Sequence, residues 1–151
     1  MNNIQIRRGT EADVEAVMAL VHELALYERA PHEVTNTAER MLKDGFGPQP
    51  LFDFWVAEAD SAIVGMALCY IRYSTWKGPM YYLEDFYVQE AHRGAKIGAQ
   101  LFELVLEEAQ RRGMAGVCWQ VLEWNEPALN FYRKYDTILD PEWVNGKIMF
   151  G

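Results

Sequence analysis

The sequence predicts a mixed α/β fold, and two observations support this. Helical and strand-like segments alternate in the order strand, two helices, three strands, helix, strand, helix and final strands. Half of the 151 residues are hydrophobic and 13% are aromatic, which allows a substantial core and excludes a disordered chain. No repeat, low-complexity tract or linker interrupts the pattern, so we expect a single domain over residues 1–151.

The N-terminal elements follow from hydrophobic spacing and from residues that begin or end helices. Thr10-Glu11-Ala12-Asp13 resembles a capping box, and Val14, Val17 and later apolar residues follow it at helical spacing. Pro31 ends this helix, and Gly45 closes the next. These signals predict a strand over Ile4–Arg8, a helix over 11–29 and a helix over Thr37–Asp44.

Three strands are predicted next, because apolar and aromatic residues dominate and turn residues separate the segments. Asp60-Ser61-Ala62 resembles a hairpin turn, and Lys77-Gly78-Pro79 is the second turn. The strands are expected at Phe54–Ala59, Ile63–Tyr73 and Met80–Val88.

The remaining elements alternate again between helix and strand. Apolar residues at helical spacing, closed by Gly113, indicate a helix, and a compact apolar run after it indicates a buried strand. The predictions are a helix over 97–112, a strand over Val117–Leu122, a short helix from about Pro127 to Lys134, and a final hairpin that includes Val144–Phe150.

The composition restricts the partners and cofactors. The net charge of −8 argues against nucleic acid or an anionic membrane as the main partner and favours a cationic small molecule. The two cysteines and three histidines show neither disulfide nor metal-ligand spacing, so no metal is expected. We find no signal peptide and no transmembrane span, and we expect a cytoplasmic protein.

The most informative motif joins an acidic strand to a basic turn. Leu83–Val88 carries the adjacent carboxylates Glu84 and Asp85, and Arg93–Gly98 then opens the long helix. A helix N-terminus can hold a phosphate, and carboxylates nearby can attract a cation or accept its proton. Because strand neighbours point to opposite faces, one of the two carboxylates could instead be a solvated edge residue. The motif predicts a phosphorylated cofactor and a cationic substrate.

Further segments carry a family resemblance. They are Glu23–Glu28, Asp44–Gly47, Tyr82–Val88, Arg93-Gly94 with Ile97-Gly98, and Glu123–Pro127 followed by Asn130–Tyr132. Together they resemble the GNAT superfamily of N-acetyltransferases, and within it the diamine (spermidine/spermine) and thialysine N-acetyltransferases. The resemblance covers nearly the whole chain.

The resemblance implies a fold and an activity. The expected fold has a central, mostly antiparallel sheet with a parallel splayed pair, flanked by about four helices. The expected enzyme transfers acetyl from acetyl-CoA to a primary amine of a small cationic substrate, by direct attack in a ternary complex, and forms a homodimer. Two alternatives remain: an N-acetyltransferase acting on proteins or peptides, and a non-catalytic acyl-CoA-binding sensor.

The reaction assigns roles to three residues. An alkylammonium has a pKa of about 10.4, so a base must remove its proton before attack. Glu84 is the expected base, directly or through a water, and the resemblance makes Asp85 a substrate-binding residue that could share the relay. The resemblance also makes Tyr132 the general acid for the departing thiolate.

The resemblance implies the remaining binding residues as well. Backbone amides of the strand and of the turn would bind the cofactor, with a bulge in the strand aiming one amide at the thioester oxygen. The cofactor-binding residues are Phe86, Tyr87, Val88, Arg93, Gly94, Ala95, Lys96, Ile97, Gly98, Ala99, Asn125 and Arg133, and Tyr27, Glu28 and Trp76 join Glu84 and Asp85 in binding the substrate. Lys96 stands where the family has a glycine, and we expect it to be helical already, at little cost.

Overall fold

A five-stranded mixed sheet forms the centre of the fold in a computed structural model that describes residues 3–151. The strands lie in the order β1-β2-β3-β4-β5, and every pair is antiparallel except β4 with β5, which is parallel. Their bounds are β1 (Ile4–Arg8), β2 (Asp53–Ala59), β3 (Ala62–Ser74), β4 (Gly78–Val88) and β5 (Gly116–Trp119). This confirms the predicted mixed sheet with its parallel pair.

Four α-helices occur among residues 3–151, the number predicted. They are α1 (Val14–Tyr27), α2 (Ala38–Phe46), α3 (Ile97–Arg111) and α4 (Glu126–Arg133). A 3-10 turn at Glu11–Asp13 precedes α1, and the amide of Thr10 donates to the Asp13 carboxylate at 2.8 Å, as the capping-box pattern indicated. The chain divides into two compact units after Gln120. The single domain expected over residues 1–151 stays a prediction.

Both faces of the sheet in the first unit are covered by helices. On one face the helices α1 and α2 bury a cluster made of Val14, Val17, Met18, Leu20, Met41, Phe54, Val56, Met66 and Leu68. On the other face α3 contributes Phe102, whose ring lies 5.9 Å from that of Phe86 and 5.5 Å from that of Trp119. This packing fixes β4, the strand with the acidic pair, between two helical layers.

An ion-pair network holds the start of α1 against the sheet. The Arg7 guanidinium donates to both Asp13 carboxylate oxygens, at 2.7 and 2.9 Å, and to Glu58 at 2.9 Å. The hydrogen bond from Arg7 lowers the pKa of Asp13 to about 2. Because the charged form is favoured in the folded state, this carboxylate contributes to stability at neutral pH.

The predicted final hairpin is wrong. In the second unit, α4 is followed by residues without regular structure, and the described residues form no strand after Trp119. Val144, Ile148 and Phe150 are each more than 85% exposed, so the apolar residues of this segment have no packing surface within the described chain. A lone two-stranded hairpin is marginal in water without such a surface. For β5, the predicted strand over Val117–Leu122 is shorter in the structure.

Candidate active site

A β-bulge in β4 positions the acidic pair. Asp85 pairs with Leu68 and Leu83 pairs with Cys69, so Glu84 is an extra residue on β4 without its own partner on β3. A bulge interrupts the strict alternation of side chains between the two faces of a sheet. The two carboxylates are close enough that the charge of Glu84 raises the pKa of Asp85. The two carboxylates are therefore electrostatically coupled, and the alternative that one of them is a solvated edge residue stays open for Glu84, which is exposed.

The environments of the paired carboxylates differ. Burial, then the charge of Glu84, then that of Glu28 raise the pKa of Asp85 from 3.8 to about 7. Burial also raises the pKa of Glu28, which caps the end of α1. Glu84 is exposed. These three carboxylates form an acidic site in which an incoming cation would offset both desolvation and mutual repulsion.

Tyrosines that the sequence reasoning missed surround Glu84. Tyr70 on β3 pairs with Tyr82 on β4, and their ring centroids lie 5.2 Å apart. Burial first, and then the charge of Glu84, raise the pKa of Tyr70 to about 12. The position of Tyr70 beside Glu84 depends on the register of β3 against β4, for which the sequence carries no clear signal.

The C-terminal half of β4 extends past its parallel neighbour. The last pair between β4 and β5 is Leu83 with Trp119, whereas β4 continues to Val88. The bulge that the resemblance implied within Phe86–Val88 lies at Glu84 instead, because the register shift on β3 falls between Leu68 and Cys69. The ring of Phe86 packs on Phe102, so its side chain is committed to the protein interior. The backbone amide and carbonyl of Phe86, rather than its side chain, are therefore suited to binding a cofactor.

The turn before α3 has the conformation of an anion-binding loop. Gly94 has φ of 91°, and a Cβ there would meet no atom within 4 Å. Glycine is therefore required by the left-handed backbone conformation and not by a lack of space for a side chain. Helix α3 begins at Ile97 without a side-chain cap and without an acidic residue in its first turn. Its first amides are therefore suited to an anion such as a diphosphate.

The expectation that Lys96 is helical is wrong. Lys96 has φ of 62° and ψ of 20°, the left-handed conformation. The turn reverses the chain between Gly94 and Ile97, and this requires the left-handed region at the residue before the helix. A left-handed residue other than glycine costs roughly 1 kcal/mol. The left-handed conformation explains why the family has a glycine at this position. This chain adopts the same conformation with a lysine.

The last turn of α1 faces the end of β4. The guanidinium carbon of Arg93 lies 5.7 Å from the ring centroids of Tyr27 and of Tyr87. Glu28, next to Tyr27, is the second residue, after Glu84, whose charge acts on Asp85. Trp76 lies apart from this group, in the turn between β3 and β4 and 81% exposed. Along β4 this turn is about 20 Å from Glu84, so the structure does not bring Trp76 to the acidic pair.

The other predicted site residues belong to the second unit. Asn125 is buried, and its side chain caps α4 by accepting from the amide of Ala128 at 3.3 Å. Tyr132 is 6% exposed, and its carbonyl accepts from the Thr137 hydroxyl at 2.8 Å. Arg133 donates to Asn130 at 2.9 Å. The roles of all the site residues stay predictions.

Comparison with known proteins identifies the family. A model of the acetyltransferase (GNAT) family matches residues 17–136, most of the chain. The chain therefore belongs to the acetyltransferase (GNAT) family and is an N-acetyltransferase. Membership in this family indicates that the chain uses an acyl-CoA.

Individual relatives agree with this family. The chain is 38% identical over 141 residues to the thialysine N-epsilon-acetyltransferase of Mus musculus, covering 88% of this chain and 83% of that protein. It is 34% identical to the spermidine/spermine N(1)-acetyltransferase-like protein 1 of Homo sapiens, covering 87% of this chain and 20% of that longer protein. The predicted closeness to thialysine and polyamine acetyltransferases is thus confirmed.

A solved structure supports the fold. An aminoglycoside acetyltransferase from an uncultured soil metagenomic sample, in complex with trehalose, superposes with a TM-score of 0.79 at 21% identity, covering 98% of this chain and 97% of that chain. At this identity the likeness concerns the fold alone. Within residues 3–151, no helix has the length and apolar character needed to cross a membrane.

Proposed function

We propose that this enzyme transfers the acetyl group of acetyl-CoA to a primary amine of a small cationic substrate, of the diamine, polyamine or thialysine class, in a ternary complex. The observation that carries the proposal is the bulge at Glu84, which places an exposed carboxylate beside the half-buried Asp85, whose pKa is about 7. The names of the thialysine and spermidine/spermine relatives support this substrate class.

The acidic site suits a cationic substrate. Three carboxylates, those of Glu28, Glu84 and Asp85, interact electrostatically, and burial opposes the ionised form of two of them. An ammonium group placed among them would stabilise those ionised forms. A substrate with a second ammonium would gain further from a chain whose net charge is −8.

The raised pKa of Asp85 makes it the better proton acceptor of the pair. Moving a proton from an ammonium with pKa about 10.4 to a carboxylate with pKa about 3.9 is uphill by about 9 kcal/mol. With Asp85 at a pKa of about 7 in the free enzyme, the same step is uphill by about 5 kcal/mol, and by about 6 kcal/mol once the bound ammonium lowers that pKa by about one unit. We therefore propose that Asp85 accepts the proton and that the exposed Glu84, which the sequence analysis expected to be the base, passes it to solvent.

The cofactor residues fit an acyl-CoA. The uncapped start of α3 and the positive φ of Gly94 suit a diphosphate, and β4 beyond Leu83 has backbone groups past the end of its pairing with β5. When bound, acetyl-CoA supplies a thioester whose carbonyl carbon the amine nitrogen attacks while the sulfur leaves. The turn of Arg93–Ala99, the backbone of Phe86–Val88, Asn125 and Arg133 would hold it.

Tyr132 would act as the general acid. A tyrosine has a pKa near 10 and a thiol near 8.5, so the departing thiolate takes the proton only through a positioned hydrogen bond. The burial of Tyr132, at 6% exposure, suits a fixed rather than a mobile hydroxyl. The homodimer and the cytoplasmic location expected from the sequence stay predictions.

Thiol release from acetyl-CoA tests the function. The purified chain would be assayed with putrescine, spermidine, spermine, thialysine and a lysine peptide at equal concentrations. We expect release that depends on a small amine and yields the mono-acetylated product by mass spectrometry. Release with the peptide alone would indicate a peptide N-acetyltransferase, and binding of acetyl-CoA without release would indicate a sensor. Either outcome would contradict the proposal.

A further inference from the structure

The position of Arg93 in the turn suggests that it binds the cofactor, but its side chain contacts other parts of the protein. Arg93 begins the turn before α3, yet its Nε donates to the carbonyl oxygen of Val88 at 2.9 Å. Its guanidinium carbon lies 5.7 Å from the ring centroids of both Tyr27 on α1 and Tyr87 on β4. The side chain therefore folds back onto the end of β4 and the last turn of α1.

Neighbouring hydrogen bonds strengthen the same junction. The Glu23 carboxylate on α1 accepts from the hydroxyl of Tyr87 at 3.2 Å and from Nε2 of Gln89 at 3.0 Å. Glu23 lies one helical turn before Tyr27, so both side chains lie on the same face of α1. The last turns of α1 are thus joined to β4 through Glu23 and through the Arg93 contacts.

This junction controls the position of an acidic group. Tyr27 is followed directly by Glu28, whose charge acts on Asp85. A displacement of Tyr27 would move Glu28 relative to Asp85 as well. Arg93 is therefore linked to the acidic site through the side chain of Tyr27 and the peptide bond that joins Tyr27 to Glu28.

We propose that Arg93 is a positioning residue of the acceptor-amine site: its side chain holds Tyr27 against Tyr87 and so keeps Glu28 facing Asp85. This inference rests on the proposed function. In the competing role the guanidinium would bind a phosphate of the coenzyme, and its charge rather than its contacts with the two rings would matter. The backbone of the turn remains available to the diphosphate in either case.

The chemistry of arginine separates the two roles. A phosphate contact depends mainly on positive charge, and a lysine supplies that charge as well. A group stacked beside two aromatic rings and bonded through Nε needs the planar guanidinium, which lysine lacks. Replacement by lysine should therefore fail if Arg93 positions Tyr27, and should largely succeed if Arg93 only supplies charge to a phosphate.

Steady-state kinetics of Arg93→Lys and Arg93→Met provide the first test. We expect both substitutions to raise KM for the amine roughly tenfold, because neither side chain supplies both the planar stack on two rings and the Nε hydrogen bond to Val88. The Kd of coenzyme A should change by less than about threefold, because its backbone contacts persist. Arg40→Met, which alters an arginine 3.9 Å from Asp44 on α2, should leave all constants unchanged. Full activity of Arg93→Lys, with weakened coenzyme A binding only in Arg93→Met, would overturn the inference.

A double-mutant cycle with Tyr27→Leu tests the route of the effect. If Arg93 acts through Tyr27, adding Arg93→Met to Tyr27→Leu should raise the amine KM by less than about twofold. Fully multiplicative effects would overturn the inference. A wild-type enzyme that releases no thiol with any amine would instead overturn the proposed function itself. Wild-type turnover with an unchanged amine KM in the Arg93 variants would overturn the inference alone.

Discussion

Replacing Asp85 with asparagine should make this enzyme more stable and less active at once. The folded state raises the pKa of Asp85 from 3.8 to about 7, so folding disfavours its ionised form. The penalty is absent below pH 3.8, grows as the pH rises, and is complete above pH 7. About three pKa units correspond to about 4 kcal/mol at pH 8. Asparagine is neutral at every pH and removes this penalty.

Urea denaturation at two pH values measures the effect on stability. At pH 8 we expect Asp85→Asn to raise the free energy of unfolding by up to about 4 kcal/mol. At pH 5 the wild-type Asp85 is protonated in the folded state, so the gain should fall to less than half. The control Glu39→Gln removes an exposed charge on α2 and should change stability by no more than about 0.5 kcal/mol.

The same variant should lose activity. A lost general base lowers the rate roughly 10²-fold. In the wild type, kcat/KM for the amine should rise as the pH increases through about 7, where Asp85 ionises, and this limb should vanish in Asp85→Asn. Equal or lower stability of the variant at pH 8, together with a wild-type pH profile, would refute the reasoning.

Further substitutions test the acid, the α1 network and the turn. Tyr132→Phe should bind coenzyme A normally by calorimetry yet turn over roughly 10²-fold more slowly; equal turnover would remove the acid role. Asp13→Asn breaks the Arg7 pair and should lower the unfolding free energy by about 2–3 kcal/mol at pH 7. This deficit should shrink as the pH falls from 3.8 towards 2, where the folded Asp13 protonates; a pH-independent deficit would contradict the ion-pair explanation. Lys96→Gly should raise the unfolding free energy by about 1 kcal/mol by relieving the left-handed backbone, while weakening coenzyme A binding a few-fold; lower stability in denaturation would contradict the strain.

Helices and strands whose apolar residues pack against the core were predictable from the sequence. The strand over Ile4–Arg8 has the bounds observed, and α3 ends one residue before the predicted limit. The hairpin prediction at Val144–Phe150 failed because apolar residues form a stable hairpin only where a further surface covers them. Within the single chain the apolar side chains of this segment stay exposed, so no tertiary contact supports the local preference for strand.

The site was predictable in composition but not in geometry. The sequence pointed to Glu84 and Asp85, yet their roles depend on the bulge, and the bulge depends on how β3 pairs with β4. The sequence analysis also assigned Arg93 to the cofactor, because it belongs to the same motif as the glycine turn. Its side chain contacts Tyr27, far away in sequence, and a contact of that kind follows only from the packing of α1 on β4.

The most direct measurement is a carboxyl ¹³C NMR titration of Asp85, with its resonance assigned by comparison with Asp85→Asn. We expect a midpoint near pH 7 in the free enzyme, and a midpoint lower by at least about one unit when a saturating diamine pairs with the carboxylate. A midpoint below about 5 in the free enzyme, unmoved by the amine, would contradict Asp85 as the proton acceptor of this acetyltransferase.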